Sequence, residues 1–232
     1  MLYLHETIDI IADGQQSYLD TVTKEWAPRS ERRGVSRLVG AWKVIGSTHR
    51  WPRVVNLWEM DGWEQLAESL ERQHLPEKRD PDLATWWRKA TQWRSGGFDR
   101  ILEPTSYSPA RADLVARKLV AWVCVQVLIK LRPGARRGYL EALGSSLRPA
   151  LEDRGITLMG AYAVPLRGDE ALTLWAAPDF RTLCGVYDRR RTDGALRAWD
   201  ARVGALRQSI EMLWLVPAGD CFFHPLHGKT SS

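Results

Sequence analysis

Tyr3, His5 and Thr7 alternate along Leu2–Ile10, and the period of two in a strand sets all three side chains on one face. His5 is the residue best suited to acid/base work, because an imidazole with an ordinary pKa of about 6.5 takes or gives a proton near neutrality. Tyr3 beside it can bind or polarise a carbonyl or a phenol. Leu2, Leu4, Glu6 and Ile8 occupy the other side of the same strand. Further on, Asn56-Leu57-Trp58 and Thr173-Leu174-Trp175 each put a polar and an aromatic residue on one strand face and a leucine on the other. With the leucines packed against helices, Asn56, Trp58, Thr173 and Trp175 face a shared interior walled by Trp42 and Trp58. The expected site therefore has His5 and Tyr3 as catalytic groups, with Thr7, Trp42, Asn56, Trp58, Thr173 and Trp175 against the substrate. Glu59 points opposite to Asn56 and is assigned to the surface or to helix packing.

Other chemistries find less support. The five histidines, His5, His49, His74, His224 and His227, include no pair at helical ligand spacing, so no metal site is expected. Cys124, Cys184 and Cys221 are an odd number at wide spacings, which argues against a disulfide framework and for a reducing compartment. Gly-rich phosphate loops and a G-x-S-x-G elbow are absent from the sequence. The net charge of +5 comes from 33 basic residues interleaved with 28 acidic ones. Without a basic stripe carrying stacking aromatics, nucleic acid is not an expected partner. The longest apolar run, Leu119–Ile129, is far short of the roughly 20 residues that span a bilayer. Met1–Glu6 lacks the pattern of a secretory signal, and a cytoplasmic location is expected.

The elements that must position these residues come in two copies. Tyr18 and Gly34 are spaced as Tyr139 and Gly155 are, Asn56-Leu57-Trp58 answers Thr173-Leu174-Trp175, and Trp86 precedes Pro104 by the same interval as Trp199 precedes Pro217. A period of about 120 residues is too long for a solenoid, whose units run about 20–50 residues. It indicates two copies of one small domain, 1–110 and 111–232. In the first, Leu2–Ile10 reads as a strand and Gln15–Glu31 as a helix ending at Gly34. Strands follow at Leu38–Ile45 and Arg53–Met60, helices at Trp63–Gln73 and Leu83–Arg94, and a short strand at Phe98–Leu102. The second copy runs alike, from a strand at Trp122–Ile129 to one at Glu211–Val216. The fold class is α+β, with two tandem ferredoxin-like βαββαβ units. Their sheets close face to face into an intrachain dimeric α/β-barrel, which removes exposed edges.

The first strands differ between copies. Tyr3, His5 and Thr7 are set against Val123, Val125 and Val127, which assigns the pocket to the N-terminal half. An extra segment near 74–90, carrying Trp86 and Trp87, is a candidate lid.

Gly40-Ala41-Trp42-Lys43-Val44-Ile45-Gly46 followed by Val54-Val55-Asn56-Leu57-Trp58-Glu59-Met60 resembles the NIPSNAP family, a branch of the dimeric α/β-barrel superfamily. The resemblance implies the barrel fold. Relatives in that superfamily include cofactor-free monooxygenases, polyketide cyclases and haem enzymes similar to chlorite dismutase. Where the family offers a Glu and an Arg two places apart, this chain has His5 and Thr7. A haem protein similar to chlorite dismutase would need a histidine on a late helix of the second unit, and no histidine lies between Asp179 and Gln208. The expected activity is that of an enzyme without metal or organic cofactor, acting on a hydrophobic carbonyl-bearing or aromatic small molecule. Isomerase, cyclase, lyase and cofactor-free oxygenase chemistry are all compatible. The alternative is a non-catalytic barrel that binds a small ligand or partner, and homo-oligomers stay open.

Overall fold

The computed structural model describes residues 1–227. In its first half, strands β1 (Leu2–Ile10), β2 (Arg37–Val44), β3 (Arg53–Met60) and β4 (Arg94–Pro104) are joined by helices α1 (Gln15–Asp20), α2 (Ala27–Arg32), α3 (Trp63–His74) and α4 (Pro81–Ala90). A short helix α5 (Arg111–Ala116) leads to the second half. There β5 (Val123–Leu131), β6 (Thr157–Ala163), β7 (Glu170–Ala177) and β8 (Arg207–Pro217) alternate with α6 (Arg136–Ala142), α7 (Arg148–Glu152), α8 (Phe180–Arg189) and α9 (Gly194–Leu206). Both halves are βαββαβ, as the repeat predicts. β4 and β8 each begin at an arginine and run longer than their apolar cores suggest, since cross-strand pairing extends through Arg94–Phe98 and Arg207–Ile210.

The first helix of each half is a continuous rod widened by a π-helical stretch, Thr21–Trp26 and Leu143–Leu147. Each stretch runs into a proline, Pro28 or Pro149. A proline ring clashes with the carbonyl four residues back and supplies no N–H. Widening the preceding turn lets the rod continue through it.

All eight strands close in the order β1-β3-β2-β8-β5-β7-β6-β4, every pairing antiparallel. The two seams between halves are short. Trp42–Val44 of β2 pairs with Leu215–Pro217 of β8, and Glu103–Pro104 of β4 with Tyr162–Ala163 of β6. The chain after β8 folds back over the first half, where Phe223 stacks on Trp42 at 5.7 Å and the Ala218 N–H donates to the Ala41 carbonyl.

Register decides which side chains share a face, because residues directly opposite in an antiparallel pair point the same way. Leu4 lies opposite Trp58, His5 opposite Leu57 and Glu6 opposite Asn56. In the second half Val125 lies opposite Trp175, Gln126 opposite Leu174 and Val127 opposite Thr173. The interior of the barrel thus receives His5, Leu57, Gln126 and Leu174. The helix-facing side receives Leu4, Glu6, Asn56 and Trp58, with Val125, Val127, Thr173 and Trp175.

This corrects two expectations. Leu57 and Leu174 face the interior rather than the helices, and Asn56, Trp58, Thr173 and Trp175 face the helices. The counterparts of Tyr3, His5 and Thr7 are Cys124, Gln126 and Leu128, not the three valines. The reason is that both faces of these strands are buried, so hydrophobicity alone does not say which face looks inward.

Candidate functional site

The eight residues expected to form one site are divided by the sheet. Tyr3, His5, Thr7 and Trp42 point into the barrel. Trp58 lines a cleft between the sheet and the helices of the first half, with Asn56 buried beneath it on the same face, and Thr173 and Trp175 line the equivalent cleft of the second half.

The barrel interior is packed. His5 Nε2 is 2.7 Å from Gln126 Oε1, a buried pairing that fixes the proton on Nε2 and leaves Nδ1 without a partner among the described residues. Burial drives the His5 pKa down to about 4, outweighing the opposing effect of the Gln126 hydrogen bond, and the charge of Arg100 lowers it further. His5 is therefore neutral near pH 7. Tyr3 donates to Glu59 Oε2 at 2.9 Å, and the same oxygen accepts the Arg111 backbone N–H at 2.8 Å. Arg37 Nε reaches Glu59 Oε1 at 3.1 Å. Glu59 is thus buried on the interior face, at 4% exposure, where the surface or helix packing was expected. Each of its oxygens is satisfied, which is what allows a carboxylate inside a protein. Trp42 fills the interior space left by Gly40, whose added Cβ would meet the Trp42 ring at 2.5 Å.

The first cleft is different in kind. Glu6 descends into it from β1, 8% exposed. Its Oε2 accepts from Trp58 Nε1 at 2.8 Å and from Asn56 Nδ2 at 3.0 Å, while Oε1 has no partner among the described residues. Asn56 Nδ2 also reaches the Tyr18 hydroxyl of α1 at 3.4 Å, tying the helix to the sheet under the carboxylate. Directly across the β1–β4 pair stands Asp99, at the open rim of the cleft. Partial enclosure and the neighbouring charge of Glu6 push the Asp99 carboxyl up to about 6, against the lowering pull of Arg94. Two carboxylates with a shared approach and unequal environments are the arrangement that separates an acid from a base.

Tryptophans wall the cleft. Trp58 forms its floor, and Trp26, Trp86 and Trp87 its sides, with Trp26 and Trp86 5.1 Å apart and Trp86 and Trp87 5.3 Å apart. Arg94 lies 4.4 Å over the Trp87 ring. Asp80 caps α4 through the Asp82 and Leu83 N–H groups and pairs with Arg33 at 2.7 Å, which holds α4 against the first helical rod.

The second half builds the same cleft, also with a cavity volume of about 90 Å³, and lines it apolarly. Val127 stands where Glu6 does, Thr173 where Asn56 does and Met212 where Asp99 does. With the cavities equal in size, chemistry is what distinguishes them. The segment near 74–90 is less one-sided than expected. Trp63 to Trp86 spans 23 positions and Phe180 to Trp199 spans 19, so the first half has only four extra residues, and both halves carry the helix that bears the tryptophan.

Sequence reading missed Glu6 and Asp99. The signal for Glu6 was a lone carboxylate among Leu2, Leu4 and Ile8, on what is otherwise a core face. Asp99 lies within the strand expected at Phe98–Leu102, at an exposed position that nothing in the sequence ties to Glu6. Among the described residues no three His, Cys, Asp or Glu side chains converge as a metal site would require, and no helix is long and apolar enough to cross a membrane.

No protein-family model matches the chain, and no curated protein matches it in sequence. Solved structures of similar length share its fold. An anthrone oxidase-like protein is 13% identical with a TM-score of 0.64, over 94% of this chain and 91% of that one. A candidate monooxygenase from Lactobacillus acidophilus NCFM is 10% identical with a TM-score of 0.60, over 93% of each chain. An uncharacterised NIPSNAP domain protein from Burkholderia xenovorans is 21% identical over 47% of this chain and 100% of that one, with a TM-score of 0.39. The fold is the dimeric α/β-barrel, completed within one chain.

Proposed function

We propose that the cleft of the first half is the active site of an enzyme that moves a proton on an apolar, carbonyl-bearing or aromatic small molecule. Glu6 is the base. Its Oε2 is held by Trp58 and Asn56, which aims the free Oε1 at a ligand lying on the tryptophan floor. Asp99, with its carboxyl raised to about 6, is the group that hands a proton to the developing enolate or phenolate oxygen. The tryptophans take up the apolar body of the substrate and exclude water, which strengthens both interactions. Proton abstraction next to a carbonyl opens isomerisation and cyclisation, and it also opens reaction of the resulting carbanion with oxygen. The fold neighbours named as an anthrone oxidase-like protein and a candidate monooxygenase are in keeping with the last of these.

The observation that carries this reading is the Glu6–Asp99 pair in the first cleft, set against Val127 and Met212 in the second. The test uses 2-tetralone, a bicyclic ketone with acidic C–H bonds, in D2O. The protein should catalyse exchange of those hydrogens, followed by NMR, and Glu6→Gln should slow it by roughly 100-fold or more, the usual weight of a general base. Exchange by Glu6→Gln at the wild-type rate would remove Glu6 from the mechanism. Binding of 2-tetralone without any exchange would favour a barrel that only holds its ligand.

A further inference from the structure

We infer that the second cleft is a separate binding site, for an apolar molecule carrying a neutral carbonyl acceptor. With Val127 and Met212 at the positions of Glu6 and Asp99 it has a different polarity, and this inference stands apart from the acid/base reading of the first cleft.

The walls come from Val125, Val127, Trp175, Leu183, Trp199 and Met212, so the cleft takes an apolar body. Two hydroxyls interrupt those walls. Tyr139, at 3% exposure, lines the cleft from α6, and its hydroxyl has no hydrogen-bond partner among the described residues. Thr173, at 2% exposure, accepts the Trp175 indole N–H at 3.0 Å through Oγ1, and its own hydroxyl proton is given to no group among the described residues. In the first cleft the equivalent residues are joined to each other, because the Tyr18 hydroxyl accepts from Asn56 Nδ2 and that amide serves Glu6, while Asn56 Oδ1 is buried without a partner among the described residues. Hydroxyls with an uncommitted proton, two of them on residues that line one apolar cavity, are the complement of an oxygen acceptor on a ligand.

The sign of the polarity sets the ligand class. Glu6 and Asp99 give the first cleft groups that take and give up protons. The second cleft has Val127 and Met212 at those positions, so the hydroxyls of Tyr139 and Thr173 are left to donate a hydrogen bond to a ligand oxygen without transferring a proton. The Arg190–Asp200 ion pair at the mouth, 2.7 Å from Arg190 Nε to the carboxylate, is satisfied within itself, which leaves a neutral ligand as the better fit.

Methyl benzoate and propylbenzene have nearly the same shape and differ in the carbonyl, and neither carries an enolisable C–H for the first cleft to act on. Their binding is read from the indole N–H resonances of Trp175 and Trp199 in titrations of the full chain. Tyr139→Phe and, separately, Thr173→Val should weaken methyl benzoate roughly 3- to 10-fold, the weight of one hydrogen bond, and leave propylbenzene unchanged. Thr173→Val also strips Trp175 of its acceptor, so Tyr139→Phe, which removes a single unpartnered oxygen, is the decisive variant. Equal losses for both ligands in Tyr139→Phe, no change for the ester, or no shift of either indole resonance would each overturn the inference.

Discussion

At the scale of the residue, two acids in one cleft differ because their surroundings differ. Glu6 is clamped by two N–H donors, whereas Asp99 stands at the rim beside that charge and has its carboxyl raised from the ordinary 3.8 to about 6. A raised acid pKa means that the folded state holds the proton more tightly than the unfolded chain. Its contribution to stability is full below about pH 3.8 and is lost as pH rises through about 6. Replacing Asp99 by Asn should therefore shift the urea midpoint upward at pH 7.5 relative to wild type by more than it does at pH 4. In the 2-tetralone exchange assay the same variant should lose the limb of the pH–rate profile near 6. A profile that keeps that limb in Asp99→Asn would assign it to another group.

At the scale of the element, the sheets were readable and their facing was not. Strand positions in β1, β3, β5 and β7 followed from alternation and repetition. Those strands are buried on both sides, so the alternation could be assigned to either face, and the choice of Leu57 as helix-facing put Asn56, Trp58, Thr173 and Trp175 on the wrong face, while Tyr3, His5, Thr7 and Trp42 face the interior as expected. The bulges carried the missing information. β2 and β6 each shift register before a glycine, Gly40 and Gly160, and each glycine makes room for an aromatic ring two positions on, Trp42 or Tyr162. A residue two along lies on the same face, so each glycine–aromatic pair marks the interior side. At Gly160 an added Cβ would sit 2.0 Å from the Tyr162 hydroxyl oxygen. Gly160→Ala should cost about 1–3 kcal/mol, as overpacking does, and chemical denaturation measures it.

At the scale of the molecule, the halves depend on each other through the interior more than through their short seams. His5 of the first and Gln126 of the second meet at 2.7 Å, and among the described residues their side chains have no other hydrogen-bond partner. Because burial holds the folded-state pKa of His5 near 4, its contribution to stability is present above about pH 6.5 and is lost as pH falls through about 4. His5→Ala should leave the Gln126 amide unpaired beside a new cavity and cost about 2–4 kcal/mol in denaturant titrations at pH 7.5. It should also flatten the decline between pH 6.5 and 4, while 2-tetralone exchange stays within a few-fold of wild type. Loss of exchange with stability intact would return His5 to the chemistry.

The pairing of His5 with Gln126 has a further implication for how such a chain can change over time. The two positions correspond in the repeat, so a barrel assembled from two identical subunits would confront that side chain with its own copy, imidazole with imidazole or amide with amide. Joining the halves covalently releases the constraint, since each position then mutates alone. Unlike partners at the axis, a carboxylate cleft on one flank and a hydroxyl cleft on the other are divergences that identical subunits have no means to encode.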